Sequence, residues 1–259
     1  MACALVGGMH ARGRPLDGIR IVEPAPAQRQ KLVARFPGAA VYEECNDAAL
    51  AGAELVVFAV KPQQMQNAAT AVASHLAADV VVLSIAAGIR IEDLARWLGG
   101  HRKIVRAMPN TPAAIGRSIT VACANRMVSA RQRKLASNLL SAIGKVEWAS
   151  SETLMDAVTA LSGSGPAYVF LLAEAMASAG IAAGLPPALA TRLAHDTVAG
   201  SGELLHRSQL SAATLRENVT SPGGTTAAAL DVLLGPGGLE ELMTKAIAAA
   251  TRRSRDLAG

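Results

Sequence analysis

Hydroxyl residues flank a Pro-Gly-Gly turn in Ser221-Pro222-Gly223-Gly224-Thr225-Thr226, just ahead of an apolar-patterned run over residues 227–234. Glycine lets backbone approach a ligand closely, and the N–H groups freed at a helix start bind anions. The hydroxyls add donors and acceptors at the same spot. The chemistry this suggests is capture of a small carboxylate, with Thr226 placed to handle a proton. The competing use of the same residues is an ordinary helix N-cap, Ser or Thr before an apolar run.

Three further segments combine small or polar residues with the end of an apolar run. They are Phe58-Ala59-Val60-Lys61-Pro62, Ser84-Ile85-Ala86-Ala87-Gly88 and Arg106-Ala107-Met108-Pro109-Asn110-Thr111-Pro112. Pro62 stops its strand where a ligand crevice would open, and the small residues of the second segment suit close approach of a cofactor. The two prolines of the third hold an Asn-Thr pair. Lys61 either contacts the cofactor or holds its loop.

The elements that position these segments show in the hydrophobic pattern. Residues 19–22, 55–60, 80–85, 104–108, 119–122 and 146–148 are apolar and largely β-branched, and residues 26–36, 63–76, 91–98 and 130–143 have helical spacing. Strands apolar on both faces imply a parallel sheet covered by helices. Alternation of this kind predicts a doubly wound α/β domain over residues 1–150, in which ligands lie beyond the carboxyl ends of the strands. All three segments then fall on one edge.

The β signal stops near residue 151, and residues 151–259 read as an all-α domain. Between residues 154 and 202 the only formal charges are Asp156, Glu174, Arg192 and Asp196. A helix facing water carries a charged side. Burial against a second copy of the chain is therefore expected, as an apolar dimer interface.

Composition narrows the classes. Half the residues are apolar, but no uninterrupted run approaches the roughly 18 needed to span a bilayer, and breaks at residues 163–166 and 184–187 argue against lipid. Cys3, Cys45 and Cys123 are scattered, with no C-x-x-C pair, which fits a reducing cytoplasm better than a disulfide framework or zinc knuckle. The net charge of +5 is dispersed apart from short basic stretches, and there are only two Trp, two Tyr and three Phe. Nucleic-acid binding is not expected, while an anionic substrate or phosphorylated cofactor is. The five histidines are dispersed, and His195 on an apolar helix reads as a core residue.

Taken in order with Leu161-Ser162-Gly163-Ser164-Gly165-Pro166-Ala167-Tyr168, these motifs resemble those of pyrroline-5-carboxylate reductases over nearly the whole chain. The resemblance implies a Rossmann-type domain and a helical dimerisation domain. It also implies hydride transfer from NADPH or NADH to the C=N bond of 1-pyrroline-5-carboxylate, giving L-proline. It implies a cytoplasmic homodimer built into a larger homo-oligomer, with active sites at the dimer interface.

By the same resemblance, Thr226 hydrogen-bonds the ring nitrogen, and Ser221, Gly223, Gly224 and Thr225 hold the substrate carboxylate opposite the nicotinamide. Ala59, Val60, Lys61, Pro62, Ala86, Ala87, Gly88, Met108, Pro109 and Asn110 line the cofactor site. A Thr hydroxyl is too weak an acid to protonate an imine alone, so an iminium substrate with Thr226 as an orienting relay is expected. A β-hydroxyacid dehydrogenase, the rival with the same layout, needs a Lys–Asn pair that residues 161–176 lack.

Two features depart from the family pattern. Its opening strand and G-x-G-x-M loop are not found; Met1-Ala2-Cys3-Ala4-Leu5-Val6-Gly7-Gly8-Met9 matches the helix after that loop, with Gly7-Gly8 inside it. Loss of a central strand leaves both neighbours' ladder groups unpaired. The expectation is a start recorded too late, or a weak or inactive oligomeric relative. The second departure is Glu23, at the strand end that meets the adenosine ribose. An acidic residue there favours free ribose hydroxyls over a 2′-phosphate, with Arg29 and Lys31 as possible compensation from within the next helix.

Overall fold

Every residue of the strand at 81–84 is buried, a pattern that only a sheet covered on both faces allows. The computed structural model describes residues 1–257. Its first part runs α1 (Ala2–Ala11), β1 (Arg20–Val22), α2 (Pro26–Arg35), β2 (Ala40–Tyr42), α3 (Asp47–Leu50), β3 (Leu55–Phe58), α4 (Met65–Ala73), β4 (Val81–Ser84), α5 (Ile91–Trp97), β5 (Ile104–Met108), β6 (Ser118–Ala124), α6 (Ala130–Leu140) and β7 (Gly144–Trp148). The second part is helical: α7 (Met155–Val158), α8 (Gly165–Ala182), α9 (Pro187–Arg207), α10 (Ala212–Asn218), α11 (Thr225–Leu233) and α12 (Leu239–Leu257).

The strands form a two-stranded sheet, β1-β2, and a five-stranded sheet, β3-β4-β5-β6-β7. No ladder joins the two sheets among the described residues. Neighbours pair in parallel except β5 and β6, which are antiparallel. That departs from an all-parallel sheet for a geometric reason. Only residues 109–117, folded as the 3₁₀ turn Thr111–Ile115 capped by Gly116 at φ +70°, join β5 to β6. A parallel crossover needs about a dozen residues or more.

Alternation along β4 supplies both core layers. Val81 and Leu83 pack with Leu5, Val105, Leu140 and Ile143 on one face. Val82 packs with Phe58, Met65, Leu94 and Ile104 on the other. Gly8 belongs to the first layer's packing, since a Cβ there would lie 2.3 Å from the Ala142 carbonyl oxygen. Gly8 in α1 is thus explained by helix packing, as its place inside a helix suggests.

Two compact units emerge, one of residues 1–163 together with the described chain from Ala250, the other Ser164–Ala249. Helical structure starts after Ser151, yet Met155 and Ala160 are fully buried within the first unit. In the second unit α8 packs on α9, where Gly180 would bring a Cβ to 3.3 Å from the Ala190 Cβ. Large apolar side chains stand in the open along α8: Phe170 is 61% exposed and Leu171 63%.

The helical path Glu152–Ala182 spans 31 residues and contains an 18-residue stretch of mean hydropathy 1.3, long and apolar enough by length and composition alone to cross a membrane. The path is no uninterrupted apolar run, since Ser162, Ser164 and Glu174 fall within it. The break inferred at residues 163–166 is not one: a π-helical turn, Thr159–Gly163, carries the path onward, and Pro166 sits in the first turn of α8, where its missing N–H costs nothing.

Candidate active site

The carboxyl ends of β1, β3, β4 and β5 carry the residues expected to meet a dinucleotide. After β3 the chain bends through Ala59 and Val60 to Lys61, which caps the 3₁₀ turn Pro62–Gln64. The Lys61 side chain is exposed and pairs with no carboxylate among the described residues. After β4, Ala86 is buried and its N–H points at Ser84 Oγ, 3.4 Å away. Gly88 follows at φ +76°, a left-handed conformation that favours glycine. A Cβ on Gly88 would lie 3.6 Å from the Leu257 carbonyl oxygen, so the end of α12 lies beside this turn.

The β5 end is built differently. Asn110 is 9% exposed, and its side chain ties three segments together. Its Oδ1 accepts from Ser118 Oγ at 3.0 Å and from the Ile119 N–H at 3.2 Å, while Nδ2 donates to the Ser162 carbonyl at 3.1 Å. The Asn110 N–H also donates to Ser118 Oγ at 3.2 Å. This side chain holds the 109–118 loop against β6 and the π-helical turn. Beside it, a Cβ on Gly163 would lie 2.4 Å from Met108 Cε, so Met108 packs directly on that turn.

Beneath this edge lies an ion pair that the sequence reading did not find. Arg106, in β5, is 4% exposed, and its Nη1 donates to Glu152 Oε1 at 2.9 Å. The same oxygen accepts the Ile91 N–H at 2.9 Å, at the start of α5. Cys123 faces Arg106 across the ladder. Burial pushes its thiol up to about 11, with the Glu152 carboxylate adding to the rise and Arg106 opposing it; such a thiol is inert. The available signal was an arginine inside an otherwise apolar strand, which demands a buried acceptor.

In the second unit the 221–226 turn has the expected shape. Gly223 adopts φ +70°, the Gly224 N–H closes the turn onto the Ser221 carbonyl at 3.0 Å, and α11 begins at Thr225. The N-cap is Gly224, and no side chain caps the helix. The hydroxyls of Ser221, Thr225 and Thr226 are therefore not used as caps, and the first-turn N–H groups of α11 have no partner within the helix. Thr226 is half-buried, whereas Ser221, Gly223 and Thr225 are exposed. His195 lies exposed on α9 rather than in a core. Glu23, at the end of β1, is half-buried.

Parallel strands whose carboxyl ends offer a carboxylate, a lysine with no carboxylate partner among the described residues and small side chains, followed by a helical unit, have the layout of a dinucleotide-dependent oxidoreductase. Comparison with known proteins gives the family. Residues 152–257 match the family described as pyrroline-5-carboxylate reductase dimerisation, and residues 1–88 match NADP oxidoreductase, coenzyme F420-dependent. A pyrroline-5-carboxylate reductase of Pseudomonas aeruginosa is 44% identical over 258 residues, covering 100% of this chain and 93% of its own. The Escherichia coli enzyme is 36% identical, with 98% of this chain and 95% of its own covered.

Among solved structures, a pyrroline-5-carboxylate reductase of Coxiella burnetii superposes with a TM-score of 0.93 at 35% identity, covering 100% of this chain and 95% of its own. One from Plasmodium falciparum with NADP bound gives 0.82 at 27% identity, covering 100% and 94%. The chain belongs to the pyrroline-5-carboxylate reductase family.

Proposed function

We infer that this chain reduces 1-pyrroline-5-carboxylate to L-proline with a hydride from NADH or NADPH. The observation that carries the reading is the 221–226 turn: a glycine-capped helix start with hydroxyls left over from capping, in a chain 44% identical to a named pyrroline-5-carboxylate reductase. The residues at the strand ends fit a nicotinamide dinucleotide. Glu23 offers a carboxylate to ribose hydroxyls, Lys61 an unpaired ammonium, and Ala86, Ala87 and Gly88 a backbone open to close approach. Ala59, Val60, Pro62, Met108, Pro109 and Asn110 complete that edge. When bound, the reduced nicotinamide supplies the hydride.

The remaining work falls to the turn. The first-turn N–H groups of α11, with that of Gly223, donate to the substrate carboxylate, which Gly224 lets approach the backbone closely and which Ser221 and Thr225 help to hold. Thr226 orients the ring nitrogen and keeps its proton in place while the imine carbon is reduced. Since the substrate enters as an iminium, no strong acid is required. Positioning and fixed dipoles then supply most of the rate. Incubating the purified chain with the imine and reduced dinucleotide should yield one L-proline per dinucleotide oxidised. A folded chain that binds dinucleotide but leaves the imine untouched rejects the reading.

The exposed apolar side chains of the second unit are best covered by another copy, as the dimerisation match supports. We place a homodimer, and a larger assembly of dimers, in the cytoplasm. Phe170→Glu would force a charge into that interface. Sedimentation should show the native chain at twice the monomer mass or more, and the variant shifted towards monomer. A native chain that sediments as a monomer contradicts the assembly.

A further inference from the structure

The adenosine end of the candidate cofactor site has a charge arrangement that bears on which dinucleotide it accepts. Glu23 follows β1 directly, and its N–H extends the ladder to the Tyr42 carbonyl at 2.9 Å. Its Oε1 accepts the Ala25 N–H at 3.0 Å, which pins the carboxylate over the start of α2. Glu43 and Glu44 follow β2 at the same edge of the two-stranded sheet.

Arg29, the nearest candidate for pairing with a 2′-phosphate, is already committed. Its Nη1 donates to the Glu23 carbonyl at 3.0 Å and the Pro24 carbonyl at 2.7 Å, and its Nη2 pairs with Glu43 Oε2 at 3.0 Å. Lys31 lies two positions along the same helix, a spacing that puts it on a different side from Arg29. The Arg29 guanidinium is therefore tied up in holding β1, α2 and β2 together.

From this arrangement we propose that Glu23 selects free ribose hydroxyls and that the Arg29–Glu43 pair withholds a cation placed to receive a 2′-phosphate, so that this chain takes NADH in preference to NADPH. The proposal rests on the reading of the strand ends as a dinucleotide site. A pinned carboxylate accepts two hydroxyl hydrogens well and opposes a phosphate dianion through like charge.

The test is direct titration of the folded chain with NADH and NADPH, following binding by calorimetry without substrate. NADH should bind about tenfold more tightly or better, the scale set by like-charge opposition at a half-buried site. Glu23→Ser should erase that ratio. Glu43→Gln should free Arg29 and tighten NADPH alone, leaving NADH affinity as it was. Equal or tighter binding of NADPH by the native chain, or a ratio unmoved by Glu23→Ser, overturns the selectivity but leaves the reductase reading standing. Failure of a folded chain to bind either dinucleotide at millimolar concentration overturns both.

Discussion

Thr226→Ala is expected to lower kcat by about 10²-fold, the lower end of what a positioned proton-handling group contributes. Dinucleotide affinity should stay close to native, because the proposed function gives Thr226 to the substrate and the strand ends to the dinucleotide. Thr226 is half-buried in the first turn of α11, and Gly224 rather than a hydroxyl caps that helix. Alanine is the best helix former, so the variant keeps the helix and the loss is one of chemistry. Thr226→Ser retains the hydroxyl and should recover most of the rate. Steady-state kinetics on the three proteins, with circular dichroism as the folding check, decides the matter. A Thr226→Ala enzyme with native kcat removes the assigned role.

Glu152→Ala should be the most damaging single change to stability outside the apolar core. It leaves the Arg106 guanidinium, whose side chain is 5% exposed, without its carboxylate. Breaking a buried pair from one side costs about 3–5 kcal/mol, set against roughly 5–15 for a whole domain. The Ile91 N–H also loses its acceptor at the start of α5. Thermal unfolding should therefore fall by on the order of 10 °C. Glu152→Gln keeps an oxygen for Arg106 and Ile91 and should cost markedly less. Equal midpoints for the native and Glu152→Ala proteins would show that the pair contributes nothing.

How far the sequence led depended on whether each signal was local. The strand runs were legible because β-branched residues at 55–58, 81–84 and 104–108 have no other economical use. β2 was missed since Ala40-Val41-Tyr42 follows a Gly-Ala stretch and is only three residues long. The antiparallel β6 was hidden for another reason: its direction is set by the length of the 109–117 connection, not by its own residues. In the site, the 221–226 turn was fully legible because its glycines and hydroxyls are contiguous. The Arg106–Glu152 pair was not, since its partners lie 46 residues apart. Asn110 was read correctly as a residue at the strand-end edge, but its three side-chain bonds to β6 and to the Ser162 carbonyl depend on tertiary packing that no local pattern encodes. The helical continuity at residues 159–166 was not legible because glycine and proline read as breaks, whereas the chain continues through them as a π-helical turn and a helix start.

The most direct measurement is turnover of two cyclic imines by the purified chain with reduced dinucleotide, one being 1-pyrroline-5-carboxylate and the other 1-pyrroline, which lacks the carboxylate. If the glycine-capped turn holds the carboxylate while Thr226 holds the ring nitrogen, the first imine is reduced to L-proline. The second then loses about 10²-fold or more in kcat/KM, the scale of misplacing a reacting group. Equal turnover of both, or of neither by a folded chain with dinucleotide bound, contradicts the account.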